Sequence, residues 1–392
     1  MKIVIAPDKF RGSLTGIEFC WIVKEAIWEV LEDVEFIEAP VADGGDGTLA
    51  ALEAQVPHGK KTVEVLDPLF RKIQASYLYN DTFKIAFVEM AEASGLRLLK
   101  EDEQNCCDST SYGTGELIKA AMDQGAKKII LGIGGSATND CGMGMAAALG
   151  YEFFDAQGKE VSPIGKNLSQ VKEIRTENVD PRIMEIDFEV ACDVISPLYG
   201  EYGAAYVYGP QKGASEEEIK MLDQGLRDFN QVLIKVFNKD IHDIYGTGAA
   251  GGMGAGAMTF LNGELKPGID MVKEMIRFDK RIEGADWVIT GEGKLDFQTL
   301  SGKAVKGVAE SAQSQKIPVA AFCGRITVPQ DALSTMGIYY AKSVMLQASD
   351  FDDAMKNSKT YLAKMAKDFA LKLQRDMSVS YTHLTLPTTS AL

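Results

Sequence analysis

Histidine is scarce in this chain. Three occur in 392 residues, His58, His242 and His383, and none stands beside a glycine-rich motif. That shortage argues against a histidine-centred triad or general base, and leaves proton transfer to carboxylates. The six cysteines show no Cys-x-x-Cys spacing, which argues against a zinc site or a disulfide framework. Free thiols fit a reducing compartment. No apolar run is long enough to span a membrane, and MKIVIAPDKF opens directly on a strand with no secretory signal ahead of it, so a cytoplasmic location is expected. Positive charge is in deficit: 41 Lys and Arg face 56 Asp and Glu, a formal net charge of −15. This excludes general nucleic-acid binding and attachment to anionic membrane surfaces. Any anion bound by so acidic a chain needs local cations or a metal. No internal repeat is visible. Hydrophobic residues make up 46%, enough for full cores, and the length suggests two domains or one with a large insertion.

What is present is organised around GIGGSATNDCGMG, residues 132–144. The apolar run before it reads as a buried strand and the Ala-rich run after it as a buried helix. A strand, a glycine loop and a helix start form an anion site, because the first-turn N–H groups lack partners and the helix dipole favours negative charge. The same residues also read as a tight turn that binds nothing. Gly132, Gly134 and Ala137 further match G-x-G-x-x-A, with Glu152 and Asp155 near the place of a ribose-binding acid. An NAD(P)-dependent hydroxyacid dehydrogenase therefore stands as an alternative.

Other loops repeat the pattern of strand, charged turn and helix. Ile3–Ala6 leads to Asp8, Lys9, Arg11 and Ser13, with Thr15 and Glu18 as a capping box for a helix to about Leu31. Glu35–Pro40 leads to Asp43, Gly44, Gly45 and Asp46, two aspartates that suit Mg²⁺ through water or a helix start. Residues 61–90 alternate as antiparallel hairpins, which places a domain border near Val65. Asp187–Val194 delivers Asp193 to a turn. Lys212 sits in the turn YGPQKGAS, and Ser215 with Glu218 caps a long amphipathic helix. GTGAAGGMGAG reads as a close-packed turn or an active-site edge. Asp286–Thr290 leads to Glu292, Lys294, Asp296, Thr299 and Lys303. This is no Walker loop, since Phe297 and Ala304 stand where that motif needs Gly and Ser or Thr. Its carboxylates suit Mg²⁺ and its lysines suit phosphate oxygens. A last helix runs from Asp350 to about Met377, and the charge-free 378–392 reads as a non-native or disordered tail.

Taken in order, APDKFRGSLT, PVADGGDGT, TSYGTGELI, GIGGSATND, GPQKGA, GAAGGMGAG and VITGEGKLDFQTLSGK resemble the bacterial glycerate kinase family of the two-domain type, over essentially Met1 to Met377. The resemblance implies an ATP-dependent, Mg²⁺-assisted kinase that phosphorylates a hydroxyl of D-glycerate in an interdomain cleft. It implies an α/β fold: a Rossmann-like or flavodoxin-like parallel-sheet domain (1–65 and 285–377) and a second α/β domain with a mixed sheet (66–284). On this reading Asp193 or Asp296 is the base or a metal ligand, and Glu292 and Asp43 are further metal candidates. Lys9, Arg11 and Lys294 hold the glycerate carboxylate or the transferring phosphate. Gly134, Gly135, Ser136, Ala137 and Thr138 cradle one of the same two anions. Partners are small molecules only, with a homodimer as one possible assembly. A non-catalytic glycerate sensor is a further alternative. Some positions depart from the family's usual residues: Lys9 for Ser, Arg11 for Lys, Cys141 for Gly, Ser196 for Asn and Phe297 for Gly.

Overall fold

The computed structural model describes residues 1–8, 10, 12–42, 48–53, 55, 59–296 and 304–384, with side chains to Met377. The chain forms two compact units, Met1–Ala42 with Ile276–Leu392, and Asp43–Met275. The border expected near Val65 lies inside a strand instead. Lys60–Leu66 pairs antiparallel along its whole length with Lys72–Asn80, and a hairpin strand goes with its partner. At the other end Trp287–Thr290 begins well after the unit boundary at Ile276.

The first unit is built on a five-stranded parallel sheet. Its spatial order is Ile338–Ser343, Val319–Cys323, Trp287–Thr290, Lys2–Ile5 and Glu35–Glu38. In chain order this is 2-1-3-4-5, the flavodoxin-like arrangement. Ile3, Val4 and Ile5 have no exposed surface, as a central parallel strand covered on both faces requires. The helix Gly16–Trp28 starts where expected. Thr15 Oγ1 accepts from the Glu18 N–H, and the Glu18 carboxylate accepts from the Thr15 N–H. Phe19, Phe322 and Phe369 anchor the core, and the Phe322 and Phe369 rings meet edge to face at 5.9 Å.

The last helical stretch differs from expectation at both ends. It breaks at Asn357, between Phe351–Lys356 and Ser358–Leu384. The backbone then stays helical past Met377 to Leu384, because no glycine or proline intervenes before Pro387. Residues 385–392 lie outside the described residues.

The second unit carries a six-stranded mixed sheet. Its order is Glu264–Lys266, Asp187–Ala191, Lys128–Gly132, Ile85–Glu89, Lys72–Asn80 and Lys60–Leu66. The first four strands are parallel to one another, and the last two continue the sheet antiparallel. The helix Glu216–Phe237 packs against this unit through Ile219, Leu222, Leu226, Phe229 and Leu233, at the three- and four-residue spacing of one helical face. Its capping box pairs Ser215 with Glu218, and Asn238 ends it at φ 52°. Among the described residues no helix is long and apolar enough to cross a membrane.

Candidate active site

In an open parallel sheet, ligands bind beyond the carboxyl ends of the strands where the strand order reverses. In the first unit that point lies between Lys2–Ile5 and Trp287–Thr290. Pairing continues past both strand ends: the Ala6 N–H donates to Ile289 O at 2.7 Å and the Asp8 N–H to Gly291 O at 2.8 Å. Two buried acids, Asp8 and Glu292, thus stand at the switch point, 8% and 7% exposed. Asp8 was legible only as one charge on a turn. Beyond Glu292, Lys294–Leu295 pairs parallel with Arg325–Ile326. Lys294 Nζ lies 2.8 Å from Asp296 Oδ2. Burial, and secondarily the Glu292 charge, pushes the Cys323 thiol far above its usual range. Lys9, Arg11, Asp43 and residues 297–303 lie outside the described residues. Among the described residues no group of three or more His, Cys, Asp or Glu gathers as a metal cage. Mg²⁺ takes one or two carboxylates and completes its shell with water and phosphate oxygens. Glu292 and Asp296 on one short segment fit that demand.

In the second unit a cavity of about 380 Å³ opens beyond the carboxyl ends of Lys128–Gly132 and Asp187–Ala191. Gly134, Gly135, Ser136, Asp193 and Lys212 line it, against an apolar wall that includes Leu96, Ile133 and Val194. Asp193 Oδ1 accepts from the Gly268 N–H at 3.0 Å. Ala137 and Thr138 are not in the lining. The Ala137 N–H is taken by Ser94 O, while Leu96 donates to Gly135 O, so the loop is stitched to residues 94–96. Thr138 is fully buried, and its Oγ1 with both side-chain polar atoms of Asn139 lacks a partner among the described residues.

Sequence reading passed over Lys212 as a turn residue. Its Nζ donates to Ser136 Oγ at 2.7 Å and to Thr138 O at 2.8 Å, and the residue is 3% exposed. The turn Pro210–Lys212 ends at Gly213, φ 86°, where a Cβ would stand 1.9 Å from Gln104 O. Only glycine permits so close an approach, and it presses the lysine inward. Desolvation pushes the Lys212 pKa down from 10.5 to about 8. Between those values the unfolded chain binds the extra proton, so this group stabilises the fold progressively as pH rises from about 8 to 10.5. The swing is about 3 kcal/mol. Urea unfolding of wild type and Lys212→Met across that window is expected to differ in slope with this sign; parallel curves would refute it.

The helix start expected to hold an anion is already occupied by the protein. Asp140, fully buried, accepts from Ser111 N–H (2.8 Å), Ser111 Oγ (2.7 Å), Gly142 N–H (3.2 Å) and Gly144 N–H (3.1 Å). Burial pushes its pKa up, and these donors oppose the shift. The helix itself is only Met143–Ala148. It begins well beyond the Gly134–Thr138 loop, so no helix N-terminus stands behind that loop. The same distance removes the dinucleotide fingerprint, which requires the helix to open at the glycine turn. Of the two acids near the place of a ribose-binding residue, Asp155 accepts from the Gln157 and Lys159 N–H groups of its own turn, and Glu152 accepts from the Asn178 side chain.

Within GTGAAGGMGAG the helical span Ala249–Phe260 is interrupted by a kink, with left-handed backbone at Ala250, Gly251 and Gly252. A Cβ on Gly251 would meet Thr138 O at 2.0 Å, so the stretch packs against the loop of the lysine's acceptor. Ala249 and Ala250 reach the cavity lining. Cys141 holds φ 53°, a left-handed conformation that accounts for the glycine usual at that position.

The model of the glycerate kinase family matches residues 3–374. A glycerate kinase of Halalkalibacterium halodurans is 40% identical over 94% of this chain and 97% of its own. A glycerate 2-kinase of Escherichia coli K12 is 40% identical over 95% and 98%. A crystal structure provisionally described as glycerate kinase 2 from Salmonella typhimurium LT2 superposes with a TM-score of 0.86 at 37% identity, covering 96% of this chain and 99% of that one. Likeness that runs through both sheets and the loops at their carboxyl ends leaves one assignment: the chain belongs to the glycerate kinase family.

Proposed function

We propose that the protein transfers the γ-phosphoryl group of ATP to a hydroxyl of D-glycerate, with Mg²⁺. The observation that carries this reading is the segment Glu292–Lys294–Asp296 at the topological switch point of the first unit. Phosphoryl transfer asks a protein mainly for positioning and charge neutralisation, and carboxylates beside a lysine on one short segment supply both. Glu292 and Asp296 would hold Mg²⁺, which would supply neutralisation of phosphate charge. Lys294 pairs with phosphate oxygens. Asp193, oriented by the Gly268 N–H, accepts the hydroxyl proton, with Asp296 as the other candidate for that role. Lys9 and Arg11 add cations for either anion, and Asp43 is a further metal candidate. The Escherichia coli relative is named a glycerate 2-kinase, so 2-phosphoglycerate is the expected product.

The test is ADP release from ATP, Mg²⁺ and D-glycerate, with the phosphorylated carbon assigned by NMR. Turnover into 2-phosphoglycerate is expected. Absence of ADP release with D-glycerate and related hydroxyacids would refute the kinase, and glycerate binding without turnover would favour the sensor.

A further inference from the structure

Lys212 carries a charge that no carboxylate meets at ion-pair distance among the described residues, although the Asp140 charge acts on it from farther away. Among the described residues no carboxylate oxygen comes within 4.0 Å of its Nζ, and its two partners are a hydroxyl and a carbonyl. A buried ammonium without a counter-ion is costly, and an anion placed beside it repays more than it would in water. Among the described residues the charged lining of the cavity consists of Lys212 and Asp193, opposite in sign. The rest is uncharged: Leu96, Ile133, Val194 and Ala250 are apolar, and Tyr208 and Gln211 add neutral polar groups. A triphosphate brings several negative charges and needs several cations or a metal. One ammonium in an apolar wall, with a carboxylate also present, is a poor match for it. A short hydroxyacid fits better, having one carboxylate for the cation and a hydroxyl whose hydrogen the aspartate accepts. Beside the lysine, no backbone N–H of Gly134, Gly135 or Ser136 donates to an acceptor among the described residues, which leaves donors for the second carboxylate oxygen.

We propose that this cavity is the acceptor-substrate site, and that Lys212, held by Ser136 and Thr138, is the residue that selects D-glycerate by its carboxylate. This rests on the kinase reading for the substrate's identity and settles which anion the 134–136 loop serves. Glycerol is the informative competitor, since it keeps the hydroxyls and lacks the carboxylate. Truncating one member of a buried charged contact raises dissociation strongly.

The experiment uses full-length wild type, Lys212→Met and Ser136→Ala. Steady-state kinetics vary D-glycerate, glycerol and ATP separately. Calorimetry titrates D-glycerate into each protein with and without a non-hydrolysable ATP analogue. Lys212→Met is expected to raise the D-glycerate KM and Kd by roughly 30-fold or more, to hold the ATP KM within about twofold, and to collapse the glycerate-over-glycerol selectivity. Ser136→Ala, a milder change, is expected to raise the glycerate KM by about fivefold, the net share of one hydrogen bond that positions the lysine. It keeps the question answerable if the lysine variant does not fold. An unchanged glycerate Kd in a folded variant, or a rise in the ATP KM instead, overturns the proposal. Because calorimetry reads the site without turnover, a wild type that binds glycerate but releases no ADP defeats the kinase reading and leaves this inference standing.

Discussion

Exchanging Asp296 for asparagine is expected to lower kcat for ADP formation about a hundredfold or more, with the urea unfolding curve unchanged. A positioned acid–base group contributes roughly 10²–10⁴ in rate, and loss of a carboxylate that helps carry Mg²⁺ costs similarly. The ion pair with Lys294, which is 59% exposed, contributes only about 0–1 kcal/mol, and asparagine keeps the shape and one acceptor oxygen of the side chain. The variant also separates the two roles open to this aspartate. A metal ligand lost to asparagine is partly rescued by raising Mg²⁺. A lost base is not, and the acidic limb of the kcat–pH profile disappears with it. A kcat within threefold of wild type removes Asp296 from the chemistry and leaves Asp193 as the base.

The second large effect is on stability. Asp140→Ala is expected to cost about 3–5 kcal/mol, read as the shift in free energy of urea unfolding. Three backbone N–H groups and the Ser111 hydroxyl converge on this one carboxylate. Removing it leaves them buried without acceptors, and Ser111 Oγ in turn accepts from the Met145 N–H. Asp140→Asn keeps one acceptor oxygen and turns an amide donor toward another donor, so about half that loss is expected. A cost below 1 kcal/mol for the alanine variant would show that water replaces the carboxylate and that the site is less enclosed than its burial states.

Which parts were legible in the sequence follows from how far the deciding contacts reach. Both capping boxes, Thr15 with Glu18 and Ser215 with Glu218, were readable because the partners are three residues apart. The strands that lead to Asp8, Gly134, Asp193 and Glu292 were readable as short apolar runs ended by turn residues. The pairing of Lys2–Ile5 with Trp287–Thr290 was not, because no local pattern encodes a partner more than 280 residues away. The domain border was misplaced for a related reason: alternation marks Lys60–Leu66 as a strand but does not say which sheet receives it.

The candidate site divides in the same way. Glu292, Lys294 and Asp296 drew attention because unlike charges crowd one loop. Lys212 did not, since a lysine in a Pro-Gln-Lys-Gly turn reads as solvated, and its burial arises from Gly213 closing on Gln104. Asp140 was hidden inside a glycine-rich motif that suggested open N–H groups, when the aspartate within that motif is what satisfies them. The dinucleotide fingerprint misled because spacing alone was matched. The missing condition, a helix opening at the third position, is a property of the backbone.

The arrangement of the first sheet has a consequence for synthesis. One of its interior strands, Lys2–Ile5, leaves the ribosome among the earliest residues, yet its neighbour Trp287–Thr290, the middle strand, emerges only after the whole of Asp43–Met275. During translation the nascent amino-terminal strand has one flank without its native partner while the interior unit can already complete its own sheet. The order of assembly therefore runs from the inside of the chain outward, against the usual vectorial sequence in which the leading end folds first. A pause or truncation before residue 287 would release an aggregation-prone polypeptide, with one finished globule and an apolar strand waiting for its mate.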